Sequence, residues 1–305
     1  MLRVVSRRVS GVRAFSFGYA INRFSKVVQV EGDTNVFHTT ASNELSILGN
    51  PNGGQLTFAA LSAASKCTSL PDILNIQATF VAPPSSKSES TLTVKPLTKE
   101  SKTQETCTVS YTQDNKPIAE FFFTFGDMEK NRKFGGFSYP ASTAHVPAPE
   151  SLPSPNDPKL TNYSELLDQK MGKILFIARH HKFMLDPETS TLYQKHAFNK
   201  STDESKLTGW GGYADDKPIE LSDLSFLMDA FPPPILAQEP TGWVPTISYS
   251  VNFFSKPKTN SSLVQLDFQT RIAKHGVIEC DGHAWDVDGE LLATSRQMAR
   301  VWKPK

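Results

Sequence analysis

Gly53-Gly54-Gln55-Leu56-Thr57-Phe58-Ala59-Ala60-Leu61-Ser62-Ala63-Ala64-Ser65-Lys66 is rich in alanine and leucine and opens on two glycines. These preferences predict a helix whose N-terminus lies at the glycine pair. Four strand patterns follow, at residues 73–82, 90–98, 104–112 and 117–126. In the third, Cys107, Val109 and Tyr111 alternate with Thr106, Thr108 and Ser110, the period of a strand with one buried face. The second half repeats this order. A helix over residues 219–231 precedes strands at 244–255, 262–271, 276–287 and 290–302, the last three separated by the turn-like Lys274-His275-Gly276 and Asp288-Gly289. One helix against a long antiparallel sheet, done twice, predicts an α+β chain with an internal duplication.

Between the halves, residues 135–160 carry Pro140, Pro147, Pro149, Pro153, Pro155 and Pro158 and have almost no periodicity. That density of proline suits neither a helix nor a central strand, so the segment reads as a surface connector. The division expected is a leader at 1–22, a first unit at 23–130, the connector at 131–165 and a second unit at 166–305.

Composition excludes several classes. No run of the 305 residues approaches the roughly 20 apolar positions that span a bilayer; the densest is Phe121-Phe122-Phe123-Thr124-Phe125. An integral membrane protein is therefore not expected. The formal charge is +1 without a basic block, which argues against a nucleic-acid partner. Cys67, Cys107 and Cys280 are far apart and lack metal-ligand spacing, as expected of buried thiols in a reducing compartment.

The first residues differ from the rest. Residues 1–24 contain Arg3, Arg7, Arg8, Arg13 and Arg23 with Ser6, Ser10 and Ser16, and the first acid is Glu31. This is the composition of a mitochondrial transit peptide. Arg13-Ala14-Phe15-Ser16 resembles a processing site cleaved after Phe15; loss of residues 1–15 removes four arginines and turns +1 into −3. A disordered basic tail is the alternative.

No Gly-x-Ser-x-Gly elbow, no phosphate-binding Gly-x-x-x-x-Gly-Lys-Ser/Thr loop and no His-Glu-x-x-His pair occurs. His180-His181 lacks a third ligand, and adjacent histidines on a strand point to opposite faces, so no metal is expected. What remains is polar residues on apolar faces. Asp229 lies in Phe226-Leu227-Met228-Asp229-Ala230-Phe231-Pro232-Pro233-Pro234, at the C-terminal end of the second helix, where burial and the negative end of the helix dipole both disfavour a carboxylate. On the last strand, Gln297 is the one long polar side chain among Leu291, Ala293, Ser295, Ala299 and Val301. Thr246, after Pro245, starts a strand from which its hydroxyl could meet both Gln297 and Asp229. A purely structural role is the alternative for each.

Several segments together resemble the double-hotdog acyl-CoA thioesterases of the thioesterase II type. They are Gly49-Asn50-Pro51-Asn52-Gly53-Gly54-Gln55, Leu70-Pro71-Asp72, Thr79-Phe80-Val81-Ala82-Pro83, Met228-Asp229-Ala230-Phe231-Pro232-Pro233, Pro245-Thr246-Ile247-Ser248-Tyr249-Ser250 and, most specific, Trp285-Asp286-Val287-Asp288-Gly289-Glu290-Leu291-Leu292-Ala293-Thr294-Ser295-Arg296-Gln297. The resemblance implies a tandem hotdog and hydrolysis of fatty acyl-CoA to free fatty acid and CoA without a cofactor. It also implies that Asp229, Thr246 and Gln297 bind the hydrolytic water, with Asp229 as general base. Helix-start amides at Gly53, Gly54 and Gln55 are the candidate oxyanion donors. One departure stands out: some members of the family have Asp-His where this chain has Ser248-Tyr249.

Two other readings remain beside it. One is a non-catalytic double hotdog in mitochondria that binds acyl thioesters or acts as a scaffold. The other, hydration or dehydration of an acyl thioester, needs an acid and a histidine that Gly49-Asn50-Pro51-Asn52 lacks. Lys303-Pro304-Lys305 is not a Ser-Lys-Leu-type signal, so the mitochondrial matrix is expected ahead of peroxisome or cytosol. Lys256 and Lys258 are candidates for the CoA phosphates, with a solvated loop as the alternative. Such folds often assemble further, which leaves a homo-oligomer open.

Overall fold

The computed structural model describes residues 24, 26–47, 49–98, 101–135, 147–152, 180–200, 203–238 and 244–301. The leader at 1–22 and most of the proline-rich connector lie outside the described residues.

In the first half, β1 (Val27–Gln29), β2 (Val36–Thr39) and the short pair β3 (Ser46–Ile47) and β4 (Asn50–Pro51) precede helix α1 (Gly53–Ser65). Then come β5 (Asp72–Phe80), β6 (Ser90–Pro96), β7 (Gln104–Gln113), β8 (Lys116–Gly126) and a short helix α2 (Met128–Gly135). The second half contains β9 (His181–Leu185), α3 (Thr191–Phe198), β10 (Lys206–Tyr213) and α4 (Leu224–Ala230), followed by β11 (Thr246–Phe253), β12 (Leu263–Lys274), β13 (Val277–Trp285) and β14 (Leu291–Arg300).

Twelve strands form one antiparallel sheet in the order β1-β2-β6-β7-β8-β5-β11-β14-β13-β12-β10-β9. Read outward from the β5–β11 seam, each half places its strands in the same topological order, so the duplication is visible in the connectivity. The seam pairs Thr79 with Ser248, Ala78 with Tyr249 and Ile76 with Val251. Alternation sets its two faces: Ile76, Ala78, Tyr249 and Val251 are buried toward the helices, while Gln77 and Asn252 are exposed on the other side. In β7 the expected alternation is present, with Cys107, Val109 and Tyr111 buried.

Every residue of α1 from Gly54 to Ser65 is buried, because the sheet wraps it on one side and α4 packs on the other. Its low-volume Ala59, Ala60, Ala63 and Ala64 allow that approach, while Phe58 and Leu61 fill the core. Each such large side chain contributes about 1.5–3 kcal/mol by leaving water.

Three differences from the sequence reading have physical causes. The second helix is shorter than 219–231: a 3-10 turn at Leu221–Asp223 leads into α4, and Pro232 drives Phe231 to an extended ψ of 149°. The connector is interrupted by a 3-10 turn at Pro149–Ser151, and the carbonyl of Pro147 accepts a hydrogen bond from Trp210 Nε1 at 2.8 Å. Strands β1, β2, β3, β4, β9 and β10 and the short helices α2 and α3 were not expected. In β10, Lys206-Leu207-Thr208-Gly209-Trp210-Gly211-Gly212-Tyr213 reads as a breaker, yet its glycines serve close packing. A Cβ on Gly209 would lie 2.1 Å from the Met184 carbonyl, and one on Gly212 2.2 Å from that of Ser262.

No helix among the described residues is long and apolar enough to cross a membrane.

Candidate active site

The C-terminus of α4 and the N-terminus of α1 meet, and the candidate residues gather at that junction. A helix end leaves carbonyls without intrahelical partners. At the end of α4, two amide side chains from different halves satisfy them: Gln297 Nε2 donates to the Met228 carbonyl at 3.1 Å, and Asn52 Nδ2 donates to the Asp229 carbonyl at 3.3 Å. The Asp229 side chain crosses the junction, where Oδ2 accepts the Gly54 backbone N–H at 2.6 Å and Oδ1 accepts the Thr246 hydroxyl at 3.4 Å.

Local structure explains each position. Asn52 is the residue before α1, with extended backbone at φ −66° and ψ 144°, and its Oδ1 accepts the Gln55 N–H at 3.3 Å, as an N-cap does. Thr246 begins β11 directly after Pro245, and the register then shifts between Thr246 and Ser248. That irregularity separates Thr246 from the regular alternation of the strand. Gln297 pairs with Tyr249 across β11 and β14 on the face that looks toward the helices.

Asp229 keeps some solvent exposure as a residue, but its carboxyl is packed round by protein. Burial pushes that carboxyl up to about 6, opposed by the hydrogen bonds from Gly54, Asn52, Thr246 and Gln297. The N-terminal end of α1 carries the partial positive charge that a carboxylate prefers. The site therefore holds an acid that is ionised above about pH 6 and close to the pH at which it can take up a proton.

The three helix-start amides behave differently. Gly54 N–H is bonded to Asp229, and Gln55 N–H is capped by Asn52. The Gln55 side chain turns away, its Nε2 donating to the Ser42 carbonyl at 3.1 Å while its Oε1 accepts the Ser42 N–H. Gly53 N–H has no hydrogen-bond partner among the described residues. A Cβ on Gly53 would stand 3.1 Å from Asp229 Oδ2 and 3.1 Å from Phe80 Cζ. Acid, aromatic ring and unbonded amide thus converge on one backbone position.

The remaining candidates lie elsewhere. Lys256 Nζ is 2.6 Å from the buried Asp72, and Lys258 pairs with Asp288. His180 lies 3.0 Å from Glu44, while the ring of His181 packs 4.8 Å from Phe226. No group of three metal-ligating side chains occurs among the described residues. The hydroxyl of Tyr249, in the Ser248-Tyr249 pair, donates to the Ser225 carbonyl of α4 at 3.1 Å.

Sequence reasoning did not single out Asn52. Its position before Gly53-Gly54 signals a helix cap, but nothing local shows that its other atom reaches residue 229.

Comparison with known proteins agrees with this architecture. A family description, the acyl-CoA thioesterase N-terminal domain, matches residues 44–126, and the acyl-CoA thioesterase C-terminal domain matches residues 149–301. Among solved structures, a protein of Thermobifida fusca provisionally assigned as a thioesterase II is similar with 18% identity and a TM-score of 0.77, covering 94% of this chain and 98% of its own. A hot dog fold protein of Alicyclobacillus acidocaldarius has 19% identity and a TM-score of 0.77, with 94% and 99% covered. An acyl-CoA thioesterase II of Mycobacterium marinum has 14% identity and a TM-score of 0.67, with 93% and 99% covered. A search of curated proteins finds no match. With both domain descriptions matched in order, the C-terminal one alone over half of the chain, this tandem hotdog belongs to the acyl-CoA thioesterase family.

Proposed function

We propose that the protein hydrolyses fatty acyl-CoA to a free fatty acid and CoA, with Asp229 as general base. The observation that carries this reading is the junction itself: a carboxylate fixed between Gly54 N–H and the Thr246 hydroxyl, beside Gln297 and the unbonded Gly53 N–H. Thr246 and Gln297 orient a water molecule, and Asp229 accepts its proton as the water oxygen bonds to the thioester carbonyl carbon. Gly53 N–H donates to the oxygen that becomes negative. Of the three amides expected to serve there, it is the one without a hydrogen-bond partner among the described residues. The C–S bond then breaks, the thiolate leaves, and the proton held by Asp229 passes to it or to solvent. General-base assistance of this kind contributes about 10²–10⁴-fold.

Asp229→Asn tests the role with little structural disturbance, since the amide oxygen still accepts from Gly54 N–H. The expected result is loss of thiol release from acyl-CoAs of every chain length by at least about 10²-fold, with thermal unfolding close to that of wild type. Undiminished hydrolysis by the variant rejects the mechanism.

One observation favours the second reading, a non-catalytic acyl-thioester-binding or scaffold protein: the Asp229–Gly54 bond gives the acid a structural task of its own. Wild-type protein that is folded yet inactive on all acyl-CoAs supports that reading. The proposed place of action is the mitochondrial matrix, supported by the Arg-rich, acid-free composition of residues 1–22. An intact Met1 or Leu2 at the N-terminus of protein isolated from mitochondria argues against import with processing.

A further inference from the structure

Asn52 does more than an N-cap requires. Capping needs one acceptor, which Ser, Thr, Asp and Asn all supply. Asn52 uses Oδ1 for this task, toward Gln55 N–H at 3.3 Å, and spends Nδ2 on the Asp229 carbonyl at 3.3 Å. Among the capping residues, Asn alone carries its acceptor and its donor on two separate atoms, so that it can serve both partners at once. Two residues further on, Gly54 N–H holds the carboxylate of the same Asp229 at 2.6 Å. Asp229 is therefore gripped at its main chain and its side chain by residues 52 and 54. Two-point attachment fixes orientation as well as distance, since rotation about one bond stretches the other.

The two amides at the end of α4 also divide the work between the halves. Gln297 of the second half holds the Met228 carbonyl, and Asn52 of the first half holds the next carbonyl along. Asn52 is buried, 6% exposed, so no water competes freely for its amide.

We propose that Asn52 is a positioning residue for the general base, acting through the Asp229 carbonyl to hold the carboxylate in its productive orientation. This rests on the thioesterase reading given above. The groups that face Asp229 are Asn52, Gly53 and Gly54 at α1, Phe80 at the end of β5, Thr246 and Tyr249 on β11, and Gln297 on β14. Tyr249 is the titratable one, and burial lifts its hydroxyl well above its ordinary range, so it stays neutral while Asp229 titrates.

Two substitutions separate positioning from capping. Asn52→Asp keeps the cap acceptor but sets an oxygen against the Asp229 carbonyl and a negative charge beside its carboxylate. Asn52→Ser keeps the cap acceptor, while its shorter side chain loses the donor to Asp229. Both proteins are compared with wild type for kcat and KM across pH, on an acyl-CoA that wild type hydrolyses, alongside thermal unfolding. Both variants are expected to lose about 10²-fold in kcat with KM little changed. Both variants lose the Asn52 hydrogen bond that holds the Asp229 carboxyl down, and Asn52→Asp, which adds a negative charge beside it, moves the acid limb of the kcat profile further to higher pH than Asn52→Ser does. Wild-type kcat in Asn52→Ser overturns the proposal, as does an unmoved limb together with wild-type kcat in Asn52→Asp. Should either variant fail to fold, the other decides. Inactive wild type overturns the thioesterase reading, and this proposal with it; active wild type with indifferent variants overturns this proposal alone.

Discussion

Asp229 Oδ2 accepts the backbone N–H of Gly54 at 2.6 Å, a bond between residues 175 apart in the chain. The acid that sits at the unfavourable end of its own helix thus sits at the favourable end of another. The partial positive charge at the start of α1 offsets part of the cost of burying the carboxylate, and the same bond joins the two halves.

Hydrolysis should depend on pH through this acid. Burial places the Asp229 carboxyl at about 6, and only the ionised form accepts a proton from water. The expected kcat/KM rises with pH through a midpoint near 6 and levels off above 7. A profile that stays flat from pH 5 to pH 8 removes Asp229 as the base.

Gly54 and Gly53 should respond differently to an added methyl group. At Gly54 the new Cβ lies 2.9 Å from Asn52 Oδ1 and 2.9 Å from the Phe226 carbonyl. Main chain cannot move cheaply, so Gly54→Ala should lower stability by about 1–3 kcal/mol in denaturant unfolding. At Gly53 the neighbours are the Asp229 carboxylate and the Phe80 ring, both side chains. Gly53→Ala should therefore unfold close to wild type yet lose most of its kcat; the reverse ranking of the two variants contradicts this geometry.

Asp223 offers a test in stability rather than activity. It accepts the Tyr213 hydroxyl at 2.9 Å and the Glu220 N–H at 2.8 Å, and burial lifts its carboxyl to about 7. The folded form then holds the proton more tightly than the unfolded chain, whose carboxyl titrates near 3.8. Stability from this group is full below about pH 4 and is lost as pH rises toward 7; Asp229 adds in the same direction between 3.8 and about 6. Asp223→Asn, which cannot ionise, should flatten the fall of unfolding free energy between pH 4 and pH 7. An unchanged slope shows that Asp223 does not titrate as its burial implies.

Tyr249→Phe removes the hydroxyl that donates to Ser225 O at 3.1 Å from a residue only 2% exposed. The expected cost is about 0.5–1.5 kcal/mol in chemical denaturation, because the carbonyl left behind belongs to a helix. A cost near zero means that the hydroxyl is not needed to seat α4 on the seam.

Much of the fold was legible because its signals are local. Alternation in Thr106 to Tyr111 marks β7, the alanines from Ala59 to Ala64 mark α1, and His275-Gly276 marks the β12–β13 turn, where both residues have positive φ. Strand β10 was not legible. Its glycines lower strand preference, and the backbones of Met184 and Ser262 that require them come from elsewhere in the chain.

The candidate site divides along the same line. Asp229, Thr246 and Gln297 could be named from sequence, because a polar side chain on an apolar face is conspicuous in the pattern and a family resemblance gave them an order. Which of Gly53, Gly54 and Gln55 keeps an open N–H, and what Asn52 does with its second atom, could not be read there. Sequence by itself determined the main helix of each half, most of the strands and the polar residues that must find partners. Tertiary structure alone decided the partners, because a hydrogen bond needs its two atoms placed to within a few tenths of an ångström, and only the packing of α1 against α4 sets that distance.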